Sequence, residues 1–256
     1  MRRARELRPF RESPRLVEAR GADRTELWTE TAGTLPPVYG ERWLERRGRT
    51  YRAFEPGRSK LSAGIVRGWS GDLPVPGDRW LYLGAASGTT ASHVADLVGR
   101  EGRVYAVERS LRPFARLAAL AERWPGLLPI LGDARDPRRY LTLVPQVDGV
   151  YADVAQPDQI EIVLANAALY LSAPERPVLI ALKTPSMGRD LSAAGHARLA
   201  EARLAPVVDL EPSVKLEPFH RGHFLVGGRA RGELFREVPS PAVSPPPARS
   251  RGRRRR

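Results

Sequence analysis

Lys60, Asp153, Lys183 and His223 are the side chains of this sequence whose types and settings suit proton transfer. Lys60 sits in Arg58-Ser59-Lys60-Leu61, at the start of a predicted helix. Asp153 closes a strand in Asp153-Val154-Ala155-Gln156-Pro157, Lys183 closes an almost wholly apolar strand, and His223 opens the last one. A lysine at a strand end usually snorkels to water. Lys183 differs because a parallel sheet would set it beside Asp153, at the rim of a crevice. An unprotonated amine there could serve as a general base. A permanently charged one would act as an electrostatic clamp, with Asp153 or solvent receiving the proton, and the residues leave both roles open. His223 on its own reads as a structural or surface histidine.

The elements that must position these groups start with Arg79 to Val94, which runs from an apolar strand through a tight turn of small residues into a helix. In the turn Gly84-Ala85-Ala86-Ser87-Gly88, Gly84 can take the angles of a sharp strand exit, and Gly88 lets main chain approach a ligand. Thr89 and Thr90 stand where the free N–H groups of the helix point. A dinucleotide site wants Gly-x-Gly-x-x-Gly; here Ala86 replaces the middle glycine and Thr89 the third. Three later strands end in acids: Glu108, followed by Arg109; Asp133, followed by Ala134; and Asp153. Glu108 lies at roughly the ~20-residue step where a carboxylate meets ribose hydroxyls in such folds. Taken singly, the turn reads as packing and the acids as solvated caps. Together, at corresponding ends of parallel strands, they suit a ligand with hydroxyls, an exocyclic amine and an ammonium, and suit pyrophosphate poorly. S-adenosyl-L-methionine is such a ligand. No ligand cluster points to a metal.

The predicted fold class is α/β: a Rossmann-like, mostly parallel seven-stranded sheet with a small β-rich domain before it. Strands over 80–83, 103–108, 127–131, 147–153 and 177–183 alternate with helices over 89–98, 111–123, 136–143, 158–171 and 190–204. Two last strands, near 205–211 and 222–229, would form an edge hairpin. Ahead of them, 15–19, 26–30 and 50–54 read as short antiparallel strands and 60–69 as a helix. The expected organisation is a basic flexible segment 1–14, a β-rich domain 15–70, a cofactor domain 71–237 and a disordered Pro/Arg-rich tail 238–256. The 256 residues contain no cysteine, which removes disulfides and thiolate chemistry. No apolar run reaches the ~18 residues of a membrane span, and no secretory signal is visible, so a cytoplasmic location is expected. The net charge of +13 is unevenly spread: 16 basic and 9 acidic residues over 1–70, 20 of each over 71–237, and 6 basic with no acidic residues over 238–256. Basic ends on a neutral body suggest a polyanionic partner, most simply RNA.

Tyr82 to Thr90, Gly132-Asp133-Ala134, Asp153 to Pro157, Arg58 to Leu61 and Val38-Tyr39-Gly40-Glu41-Arg42 strongly resemble archaeal fibrillarin, over about Arg15 to Gly232. That resemblance implies ribose 2′-O-methylation of rRNA, and possibly of tRNA, with S-adenosyl-L-methionine as methyl donor. It implies a catalytic set on Lys60, Asp153, Lys183 and His223. Cofactor contacts are implied at Thr89 and Thr90, at Glu108 and Arg109, at Asp133 and Ala134, and across Asp153, Val154, Ala155 and Gln156. The implied partners are a box C/D guide RNA with its target RNA, a Nop-domain scaffold protein and, through the particle, a kink-turn-binding ribosomal-type protein. Two departures stand out. Arg109 occupies a position usually aromatic in the family, so a guanidinium plane is expected to stack on adenine. The loop Thr184 to Asp190 differs from the family's pattern. A dinucleotide-dependent oxidoreductase and a non-catalytic RNA-binding assembly subunit are the rival readings; Ala86 speaks against the first and the intact Lys-Asp-Lys-His set against the second.

Overall fold

Two β-sheets organise the computed structural model, which describes residues 7–11, 13–20, 25–31, 33 and 37–236. The smaller is antiparallel, with five strands: β1 (Leu7–Pro9), β2 (Leu16–Arg20), β3 (Thr25–Glu30), β4 (Trp43–Arg46) and β5 (Arg49–Ala53), ordered β1-β2-β3-β5-β4. Helix α1 (Lys60–Val66) follows it, with Ser59 as N-cap accepting from the Ser62 amide at 3.3 Å.

Strands and helices then alternate: β6 (Arg79–Leu83), α2 (Thr89–Val98), β7 (Arg103–Glu108), α3 (Leu111–Ala121), β8 (Leu127–Leu131), β9 (Gly149–Ala152), α4 (Gln159–Tyr170), β10 (Pro177–Lys183), α5 (Ala193–Leu204), β11 (Val208–Leu210), β12 (Val214–Lys215) and β13 (His223–Ala230). The larger sheet runs β11-β13-β10-β9-β6-β7-β8, with β12 pairing β13 off that path. From β10 to β8 every pairing is parallel, whereas β13 lies antiparallel between β10 and β11. The unbroken apolar runs of β6, β9 and β10 are those of strands covered on both faces, and their central residues are buried.

One apolar core joins the two sheets: Leu16, Leu27 and Phe54 pack with Trp69, Trp80 and Trp124, all three tryptophans fully buried. A polar cluster crosses the same boundary. Arg52, wholly buried, places Nε 3.3 Å from Glu41 Oε1 and 3.5 Å from Asp96 Oδ2, donates to Ser92 Oγ at 2.9 Å and lies over the Trp124 ring. His93, on α2, stacks on Phe54 at 4.3 Å and contacts the Thr29 hydroxyl at 2.8 Å. Burial, then Arg52, holds its pKa well below the usual histidine value.

Several expectations change in detail. Leu7–Pro9, inside the segment expected to be flexible, pairs antiparallel with Val17–Ala19; residues 1–6 lie outside the described residues, as does the expected disordered tail 238–256. The sequence reading missed β4. The final hairpin forms, but β13 is an inner strand, and the predicted strand 205–211 contracts to Val208–Leu210. The segment 136–143 holds only a short 3₁₀ turn, Pro137–Tyr140.

Candidate active site

Strand order reverses between β6 and β9, and the carboxyl ends of β6, β7, β8 and β9 open there onto one cavity of about 310 Å³. Gly84, Ala86, Glu108, Arg109, Asp133 and Ala134 line it, continuing through Asp153, Val154, Ala155 and Gln156 to Lys183. Gly84 has φ of 78°, and a Cβ there would lie 2.8 Å from the Asp153 carbonyl oxygen. Any side chain would therefore push β9's exit loop away from β6. Gly84→Ala is expected to destabilise by about 1–3 kcal/mol from the backbone angle alone, with the clash in addition; a thermal unfolding midpoint equal to wild type would contradict this.

Ala86 takes a left-handed conformation, φ 48°, uncommon for a residue with a Cβ. Glu108 stabilises it: Oε2 accepts from the Ala86 amide at 2.9 Å, and Oε1 from the Ser110 amide at 2.7 Å. The amide that a pyrophosphate would need is thus given to a carboxylate. The cavity is polarised for a ligand with hydroxyls and amines, with Glu108 nearly buried and Asp133 meeting Arg109 at 3.5 Å. S-adenosyl-L-methionine fits this donor and acceptor set.

At one end of the cavity three charged groups converge. Lys60 Nζ donates to Asp153 Oδ2 at 3.2 Å, and Lys183 Nζ lies 2.8 Å from Oδ1 while donating to the Asp153 main-chain carbonyl at 2.7 Å. Two lysine amines therefore share one carboxylate in a site whose side chains are mostly shielded from water. His223 is the direct partner of Lys183 across β10 and β13. Its Nδ1 donates to the Arg221 carbonyl at 2.8 Å, which leaves Nε2 as an acceptor. Burial first, then the charges of Lys60 and Lys183, lower its pKa, outweighing the opposing pull of the Arg221 carbonyl. This lowering favours the neutral imidazole, an acceptor at Nε2 rather than a charged donor.

Not every expected residue lines the cavity. Ala85 is buried in the core, and the open side of Gly88 faces Leu117 and Leu120 of α3 rather than a ligand. Thr90 is buried and donates to Ser59 Oγ at 3.0 Å, tying the Lys60 helix to α2; neither it nor Thr89 lines the cavity. Two residues escaped the sequence reading. Gln159, fully buried, accepts from the Lys183 amide at 2.9 Å and donates to the carbonyls of Lys183 and Gln156, both at 3.2 Å. It stands in for strand β9, whose pairing with β10 stops at Ala152, and fixes the backbone of the lysine. His220, whose Nε2 donates to the Pro56 carbonyl at 2.8 Å, lies 6.0 Å from the His223 ring. A second histidine three residues before His223 was the available signal for it.

A fibrillarin family profile matches residues 15–232. The chain belongs to the fibrillarin family. Relatives include the fibrillarin-like rRNA/tRNA 2′-O-methyltransferase of Pyrococcus horikoshii, 41% identical over 188 residues that cover 73% of this chain and 82% of that protein. The rRNA 2′-O-methyltransferase fibrillarin of Debaryomyces hansenii is 45% identical over 70% of this chain, and the match spans 54% of its own length. Among solved structures, the fibrillarin pre-rRNA processing protein of Methanococcus jannaschii aligns with a TM-score of 0.84 at 31% identity, covering 90% of this chain and 99% of that one. Aeropyrum pernix fibrillarin with natively bound S-adenosyl-L-methionine aligns at 0.76 and 34%, covering 87% and 97%. A fibrillarin/Nop5p complex aligns at 0.73 and 36%, covering 80% and 94%.

Proposed function

We propose that this fibrillarin family member, archaeal in type, methylates ribose 2′-hydroxyls of rRNA, and of tRNA as a further substrate, with S-adenosyl-L-methionine as donor. The observation that carries this reading is the Lys60–Asp153–Lys183 cluster at the end of a carboxylate-lined cavity. When bound, the cofactor supplies an activated methyl group on a sulfonium. Glu108 accepts from the cofactor's ribose hydroxyls, and Asp133 and the run Asp153–Gln156 hold its amine-bearing ends. Arg109 covers the adenine. In its unprotonated form Lys183 Nζ takes the proton from the target 2′-oxygen and becomes an ammonium, with Asp153 orienting the amine through Oδ1 and its main-chain carbonyl. The positive charge of Lys60 on Asp153, joined by that of Lys183 once it has taken the proton, stabilises the oxygen as it gains negative charge. His223 Nε2 accepts from a sugar hydroxyl and fixes the ribose.

The archaeal reading is supported by the larger share of the Pyrococcus protein that the match covers, 82% against 54% for the Debaryomyces protein. The same proposal divides the chain into a β-rich unit, 15–70, and a methyltransferase unit, 71–237, and makes it the catalytic subunit of a cytoplasmic box C/D guide-RNA particle. A Nop-domain scaffold holds it there, with a kink-turn-binding ribosomal-type protein nearby. No helix among the described residues is long and apolar enough to cross a membrane. Titration calorimetry should give heat with S-adenosyl-L-methionine and none with NAD. Mass spectrometry should find ribose methylation only when guide RNA and scaffold are added. Site-specific methylation by the chain alone would contradict the particle, and heat with NAD only would overturn the activity.

A further inference from the structure

We propose that Arg58 binds a backbone phosphate of the RNA strand carrying the target ribose, and that the loop Val38 to Arg42 is the platform that holds it for that purpose. The inference rests on the reading above that RNA is the substrate. Among the described residues, no carboxylate reaches Arg58 within ion-pair distance, although the chain supplies one to each of three arginines nearby in sequence. Arg42 meets Glu26 at 3.4 Å, Arg49 meets Glu30 at 3.0 Å and Arg52 meets Glu41 at 3.3 Å. Arg58 instead lies over the Tyr39 ring, its guanidinium carbon 5.4 Å from the centroid. A cation–π contact restrains the side chain yet leaves its N–H donors available for a planar, bidentate anion. Arg58 is exposed, so these donors face solvent.

Tyr39 is not a passing neighbour. Its hydroxyl lies 2.9 Å from both the Ala53 carbonyl and His93 Nε2. The Glu41 carboxylate, almost fully buried, accepts from the amides of Val38 at 3.1 Å and Tyr39 at 2.9 Å, and is itself fixed by Arg52. A buried ion cluster thus braces one aromatic ring, and that ring presents one cation. The cation sits just before Ser59, the N-cap of α1, and two residues before Lys60, whose amine is already on Asp153. Two residues span at most about 7 Å of backbone. A phosphate adjoining a ribose held at Lys60 is therefore within reach of Arg58, and the nucleotide is gripped from two sides.

The test uses the full chain in a particle reconstituted with guide RNA and Nop-domain scaffold, reading methyl transfer against target RNA concentration at several salt concentrations. Arg58→Ala is expected to raise the RNA concentration for half-maximal transfer roughly tenfold, the loss of one charge-assisted phosphate contact, and to reduce the salt slope by about one. Cofactor affinity by calorimetry should stay within twofold. Tyr39→Phe, which keeps the ring, should resemble wild type in RNA half-saturation, and Tyr39→Leu should resemble Arg58→Ala. An unchanged half-saturation and slope in Arg58→Ala overturns the inference. So does an Arg58→Ala chain that loses scaffold binding but not RNA affinity, which would put Arg58 at a protein contact. A wild-type particle that binds cofactor and transfers no methyl group to ribose sinks the substrate reading instead.

Discussion

Lys183→Arg is expected to lower methyl transfer by about a thousandfold, within the ~10²–10⁴ range of a positioned general base, while cofactor affinity changes only a few-fold. Arginine keeps the positive charge beside Asp153 but cannot release a proton at ordinary pH. Lys183 Nζ now lies 2.8 Å from Asp153 Oδ1 and 2.7 Å from its carbonyl; a guanidinium can meet the same acceptors and preserve that loop. Lys183→Met removes both charge and base and should be equally inactive. Single-turnover transfer in the reconstituted particle, with calorimetry for the cofactor, separates the two roles. Near-normal transfer by the arginine variant would make Lys183 an electrostatic clamp and pass the proton to Asp153 or solvent.

Arg52→Met is expected to destabilise the fold by about 3–5 kcal/mol, the cost of breaking a buried ion cluster from one side. The guanidinium stands between Glu41 and Asp96, all three buried, and nothing in a methionine replaces it. Adding Glu41→Gln should recover part of the loss, because the carboxylate that Arg52 met at 3.3 Å is then no longer charged. Urea unfolding at pH 7 reads both variants. A loss below about 1 kcal/mol would mean that water reaches the cluster once the arginine is removed. The same variant should weaken RNA capture, since Glu41 holds the loop on which Arg58 rests.

Much of this was readable from residue order. The apolar runs ending in Glu108, Asp133 and Asp153, each followed by a helical pattern, required a parallel sheet with its acids on one rim, and β6 to β10 form it. The lysine at the end of β10 stood out because the strand before it is apolar throughout. What escaped notice has physical reasons. β1 and β4 are three and four residues long, too short for alternation to register. Arg52, His93 and Asp96 look like surface residues in the sequence, and contacts between segments far apart in the chain, such as Arg52 with Ser92 and Thr29 with Asp96, bury them. Gln159 acts through main-chain atoms, which carry no residue signature. Gly88 was read as room for a ligand; its free side is filled by leucines from the next helix, a use that the turn pattern alone does not distinguish.

The placement of β13 has a consequence for how the enzyme is made. The residues that line the cleft end at Lys183, whereas His223, its partner across β10 and β13, lies on a strand inserted between two others. Phe224, Leu225, Val226 and Ala230 of that same strand are buried in the two cores, so the sheet and the acceptor side are completed together. A product truncated before β13 would therefore lose the packing along β10 as well as His223.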